Sequence, residues 1–105
     1  MEKLVRNKIP NIVGDKAEFE TLSNEKYRIV LRDKLVEEAK EVKKADSRAN
    51  LVEELGDLEE VMRAILDDAS ITYEEMDSIR QSKNTQKGNF SEKIVMITDD
   101  DPQTA

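Results

Sequence analysis

The sequence predicts an all-α protein, an antiparallel helical hairpin that forms a four-helix-bundle-type core on dimerisation, with at most a short two-stranded β element beside it. Three observations carry this expectation. Apolar residues recur at helical spacing through two long stretches. Asp46 and Ser47 interrupt those stretches with residues that stop one helix and cap the next. The 105 residues are 37% hydrophobic and 39% charged, with mean hydropathy −0.71, too polar to complete a core in a single small chain.

Taken in order, the segment Lys3 to Val13 ends in a short helix that Pro10 opens from its first turn, and Gly14 and Asp15 stop it. Glu18 to Leu22 alternates polar and apolar residues, as a short strand would, with Phe19 and Leu22 as anchors. Ser23 or Asn24 caps the first long helix, Glu25 to Ala45, and the second runs from Ala49 to Ala69. Thr72 and Glu75 make a capping box for a third helix, Tyr73 to Gln86. Lys87-Gly88-Asn89 then turns the chain. Lys93 to Thr98 is β-prone and is the natural partner for Glu18 to Leu22. Residues 1–98 are expected to form one domain and residues 99–105 a flexible acidic tail.

Composition removes several chemistries. The chain has neither cysteine nor histidine, so thiol nucleophiles, disulfides, imidazole bases and Cys/His zinc sites are excluded. A net charge of −7 with scattered basic residues argues against a nucleic acid polymer as partner, and four aromatic residues offer no stacking platform. Met1 to Pro10 lacks the apolar centre of a secretory signal, and no apolar run approaches membrane-spanning length. A cytoplasmic protein without a membrane partner is expected. Its chemistry must use carboxylates, Lys, Arg, hydroxyls and a hard metal.

Placing the charges at about 100° per residue shows where that chemistry would lie. The first long helix carries the apolar stripe Tyr27, Leu31, Leu35, Ala39 and Val42; Glu38 falls inside it, about 20° from Leu31, with Glu41 on its flank. The second carries Leu51, Leu55, Leu58, Val61, Met62 and Ile65; Glu54 lies between the bearings of Val61 and Ile65, with Asp57 beside it. Each helix therefore aims an acidic i, i+3 pair at or near its apolar face. Buried carboxylates are costly unless compensated. A divalent cation would compensate them, and all-oxygen ligation favours Mg²⁺, Mn²⁺ or Ca²⁺ over zinc. Ordinary ion pairs with Lys34, Lys40 or Arg63 would compensate them as well, and periodicity leaves both readings open.

At these residues the chain resembles the MazG-like all-α nucleotide pyrophosphohydrolases, in their short phosphoribosyl-ATP pyrophosphohydrolase-like, house-cleaning branch. The family pattern Glu-x-x-Glu, spacer, Glu-x-x-Asp reads here as Glu38-Ala39-Lys40-Glu41 and Glu54-Leu55-Gly56-Asp57. Lys3-Leu4-Val5-Arg6-Asn7-Lys8-Ile9-Pro10 and Lys87-Gly88-Asn89-Phe90 also look like this branch, and the likeness spans residues 3 to 97. Asn7 stands where the branch usually has Asp, and Lys87-Gly88-Asn89-Phe90 where it has Arg-Gly-Gly-Phe. Both departures bear on substrate contacts; the four acids are intact.

The resemblance implies hydrolysis of a nucleoside triphosphate, or a related nucleotide such as phosphoribosyl-ATP, at the α–β phosphoanhydride. Glu38, Glu41, Glu54 and Asp57 would then hold Mg²⁺, with Mn²⁺ as a substitute, and Glu38 or Glu41 would accept the proton of the attacking water. Arg6, Lys8, Lys83 and Lys87 are the expected phosphate contacts, although Arg6 and Lys8 would equally pair with surface acids and Lys87 cap a helix end. The expected partners are the nucleotide and a second copy of the chain. The competing expectations are a non-catalytic helical interaction module whose acids only line a polar seam, and a nucleotide binder without turnover.

Overall fold

The computed structural model describes residues 2–98 and 101. Among them are four α-helices and no strand: α1 (Ile9–Val13), α2 (Asn24–Lys44), α3 (Arg48–Asp68) and α4 (Tyr73–Lys87), with a 3₁₀ turn at Gly14–Lys16. The chain divides into two compact units, Met1–Tyr73 and Glu74–Ala105.

Local chemistry explains the helix ends. Pro10 sits in the first turn of α1, where its missing N–H is not needed. Gly14 ends that helix at φ 66°, a conformation that costs glycine little, and donates its N–H to the Pro10 carbonyl. Ser23 and Ser47 are the N-caps of the long helices. Their hydroxyls accept from the backbone N–H of Lys26 at 3.2 Å and of Asn50 at 3.1 Å. α3 closes with Ser70 in the left-handed region at φ 58°. The Ile71 N–H donates to the Leu66 carbonyl at 2.9 Å and the Ser70 N–H to the Asp67 carbonyl at 3.2 Å, a Schellman closure built without glycine.

In the first unit, α2 and α3 pack as an antiparallel hairpin across the short turn 45–47. Arg28, near the start of α2, donates from Nε to Asp68 Oδ2 at 3.2 Å, at the very end of α3. The core is small: Leu31 at 2% exposure and Leu66 at 8% are its buried residues. Around them Tyr27, Leu35 and Val42 on α2 and Leu58, Val61, Met62 and Ile65 on α3 are half-buried. Leu66, beside the expected stripe rather than on it, takes the central position. Leu51, Val52 and Leu55 stay exposed on the N-terminal half of α3.

The second unit contains most of α4 and the segment after it. Gly88, at φ 82°, ends α4 by donating its N–H to the Asn84 carbonyl at 2.9 Å. The helix thus ends at Lys87-Gly88-Asn89, where the sequence predicts its stop.

The two-stranded element expected from Glu18 to Leu22 and Lys93 to Thr98 is not present: both segments are irregular. Lys93 lies at φ 63° and donates its N–H to the Phe90 carbonyl at 3.2 Å, closing a turn at the point where a strand would have to begin. An isolated two-stranded pairing is in any case marginal in water. The proposed tail 99–105 lies outside the described residues except for Asp101.

Candidate metal centre

The acidic positions meet where the middle of α2 crosses the first half of α3. Glu38 on α2 and Glu54 and Asp57 on α3 each present a carboxylate oxygen within 4.8 Å of the other two. All three are half-buried. Helical spacing puts Glu54 and Asp57 one turn apart on the face of α3 that meets α2. On α2, Glu38 lies two turns beyond Leu31, in the row that faces α3.

Glu41 does not join this group. It is exposed, and its carboxylate is not among the oxygens that lie within 4.8 Å of one another. Its charge still reaches the centre. Glu54 has its carboxyl held above the usual range, first by burial and then by the negative charges of Asp57, Glu41, Glu38 and Glu53.

Two cations border the cluster. Lys34 Nζ lies 3.4 Å from Glu38 Oε1 and 3.4 Å from Glu37 Oε1; its side chain is only 16% exposed and that of Glu38 12%. Arg6 comes from the N-terminal arm and donates from Nη2 to Asp57 Oδ1 at 2.9 Å. Among the described residues, no cation lies within ion-pair distance of Glu54. Of the other cations weighed as counter-ions, Arg63 pairs with Glu59 at 3.3 Å and sits 4.7 Å over the Tyr73 ring, away from the cluster acids.

Arg6 joins the cluster to a shallow depression of about 370 Å³ lined by Arg6, Asn7, Lys8, Ile9, Ile12 and Glu60. Lys8 therefore shares a surface with Arg6. Lys83 and Lys87 lie one turn apart on α4, in the second unit. Asn7, singled out from the sequence for substrate contacts, lines the depression, whereas the Arg6–Asp57 contact, Glu60 in the depression and Glu37 on Lys34 were not foreseen. The Arg6–Asp57 contact spans 51 residues, and no local pattern encodes such a distance. The Lys34–Glu37 pair was legible as an i, i+3 neighbour of opposite charge.

Chemically, three carboxylates from two rigid helices form a hard, acceptor-only donor set, which suits Mg²⁺ or Mn²⁺. Octahedral Mg²⁺ ligands sit at about 2.0–2.1 Å from the ion, so opposite ligands are about 4.2 Å apart. Adjacent ligands would be about 2.9 Å apart, so the three oxygens, within 4.8 Å of one another, would have to draw together around an ion. No family model, no curated protein and no solved structure matches the chain.

Proposed function

We propose that this protein is a Mg²⁺-dependent nucleotide pyrophosphohydrolase that cleaves a nucleoside triphosphate, or a related nucleotide such as phosphoribosyl-ATP, into a monophosphate and pyrophosphate. The observation that carries the proposal is the convergence of Glu38, Glu54 and Asp57 within 4.8 Å of one another, next to Arg6. When bound, Mg²⁺ or Mn²⁺ neutralises charge on the phosphates and lowers the pKa of a coordinated water.

The chain's own residues do the rest. Glu38, Glu54 and Asp57 hold the cation, and Glu41 adds negative charge at its rim. Water attacks the α-phosphorus, the bond to the bridging oxygen breaks, and pyrophosphate leaves with the bond's electrons. Glu41, exposed beside the cluster, or Glu38 accepts the water's proton. Arg6 and Lys8 bind the phosphate oxygens from the adjoining depression, where a guanidinium offers bidentate contacts. Lys83 and Lys87, in the second unit, were expected as phosphate contacts from the resemblance alone and have no part in the geometry that supports this reading.

The proposal includes self-association, at least to a dimer, forming a four-helix-bundle-type core in a cytoplasmic protein. A core centred on Leu31 and Leu66, with Leu51, Val52 and Leu55 exposed, leaves apolar surface for a second copy. The test is incubation with Mg²⁺ and a panel of nucleoside triphosphates. Monophosphate and pyrophosphate should accumulate with wild-type protein and not with Glu54→Gln; equal turnover by both would remove the assigned site.

One observation favours a second reading. Lys34 and Arg6 already pair with Glu38 and Asp57, so these acids can form a polar seam in a non-catalytic interaction module. Absence of turnover with every nucleotide in both Mg²⁺ and Mn²⁺ would select it.

A further inference from the structure

Lys34 stands on α2 between two carboxylates. Glu37 and Glu38 follow it by three and four residues, so both lie one turn along the same side of the helix. Its Nζ is 3.4 Å from Glu37 Oε1 and 3.4 Å from Glu38 Oε1. Charge-assisted pairs usually close to about 2.7–2.9 Å, so neither acid grips the ammonium. The contact with Glu37 also has hydrogen-bond geometry. Glu38 belongs to the carboxylate cluster with Glu54 and Asp57, whereas Glu37 does not.

The surroundings of the two acids differ as well. The Glu38 side chain is 12% exposed and that of Glu37 47%. Lys34 and Glu37 line a groove of about 750 Å³ in the first unit, and Glu38 is not among the described residues around it. The ammonium therefore has open space toward Glu37 and a half-buried carboxylate on its other side. Burying Glu38 without a counter-charge is costly, and Lys34 offsets that cost from within the same helix. Lysine suits the position, because a point charge on a flexible four-carbon stem turns without breaking the bidentate fork that an arginine would form.

We propose that Lys34 is a displaceable counter-ion of the carboxylate centre. It neutralises Glu38 in the metal-free protein and turns to Glu37 when a divalent cation takes the Glu38 carboxylate. The inference rests on the metal-centre reading above and gives Lys34 and Glu37 a part that neither the cluster nor the phosphate contacts include. Lys34 is a positioning residue that competes with the cation, and Glu37 is the seat that receives its ammonium. Two consequences of opposite sign follow. Removing the ammonium tightens cation binding, whereas removing its outer seat leaves Lys34 on Glu38 and weakens it.

The test is a Mn²⁺ titration of the full-length protein at one pH and ionic strength, with free Mn²⁺ read by paramagnetic resonance. Wild type is compared with Lys34→Met, Glu37→Gln, the double variant and Lys40→Met. Methionine keeps an unbranched apolar stem. Lys40 is exposed and lies nine residues beyond Leu31, on the opposite side of α2, so its variant controls for the loss of one positive charge. Lys34→Met should bind Mn²⁺ about threefold or more tighter than Lys40→Met, the scale of a single partly exposed ion pair. Glu37→Gln should bind about threefold more weakly than wild type, and that loss should vanish in the Lys34→Met background. If Lys34→Met binds no tighter than Lys40→Met, or the Glu37→Gln loss is equal in both backgrounds, the inference is overturned while Mn²⁺ binding by wild type leaves the metal centre standing. If none of these proteins binds Mn²⁺, the metal-centre reading falls and the inference with it.

Discussion

Arg6 donates to Asp57 at 2.9 Å, tying the N-terminal arm to the acidic face of α3 across 51 residues of sequence. The two side chains are 61% and 39% exposed, so the contact is a solvent-facing ion pair worth at most about 1 kcal/mol to the fold. Its value in the proposed enzyme lies in placement: it holds a guanidinium at the edge of the carboxylate cluster, where a substrate's phosphates would lie. Arg6→Ala should therefore leave the thermal midpoint within a few degrees of wild type while lowering kcat/KM about tenfold or more. Melting curves and steady-state kinetics on the same preparation check both halves.

Glu54 stands among Asp57, Glu41, Glu38 and Glu53, and burial and their charges hold its carboxyl above the usual range. In chelator, Glu54→Gln should melt higher than wild type at neutral pH, because it removes one negative charge from the cluster. With saturating Mg²⁺ the order should reverse, since a ligand that binds only the folded state stabilises the protein that binds it more tightly. Paired melts with and without Mg²⁺ test the reversal.

Ser70 adopts φ 58° at the Schellman closure of α3, a conformation that penalises a side chain. Ser70→Gly relieves that penalty at some cost in unfolded-state entropy, for a net gain of about 0.5–1 kcal/mol. Denaturant unfolding should show a higher midpoint with an unchanged slope.

Asp77 on α4 accepts from Arg80 Nε and from Gln81 Nε2, contacts of 2.6 and 2.7 Å that hold its carboxyl below the usual range. Because the folded group is more acidic than its unfolded value of 3.8, its stabilisation is present above pH 3.8 and is lost as pH falls through the lower folded value. An acid titration of helicity should lose this component in Asp77→Asn.

Leu31 and Leu66 are the buried pair of the hairpin, toward its open end near the Arg28–Asp68 contact. Truncating either to alanine should cost about 2–5 kcal/mol, whereas Val52→Ala, at 60% exposure, should cost far less in the isolated chain. Chemical denaturation measures the contrast.

Much of this architecture was legible locally. Ser23 and Ser47 announce their helices because a cap is a contact within three residues, and Gly88 ends α4 for an equally local reason. Glu38 and Glu54 were legible as inward acids because bearings on a regular helix follow from spacing alone, whereas Asp57 was placed only beside the stripe, as Glu41 was. Glu41 was placed among the ligands as the i, i+3 neighbour of Glu38; the same spacing that joins Asp57 to Glu54 on α3 leaves Glu41 exposed on α2, so spacing alone did not decide it. The β expectation failed for a local reason that composition hides: Ile94 to Ile97 is β-prone, but Lys93 turns the chain with a positive φ just before it. Leu66 and the Arg6–Asp57 pair depend on how α2 and the N-terminal arm settle against α3, and tertiary packing alone decides that.

The most direct test is a Mn²⁺ titration of the full-length protein followed by paramagnetic resonance, with Mg²⁺ as competitor. Wild type should sequester Mn²⁺ in a site that Mg²⁺ empties, and Glu54→Gln should lose most of that binding. Equal Mn²⁺ affinity in the two proteins, or none in wild type, would contradict a hard-cation centre at Glu38, Glu54 and Asp57.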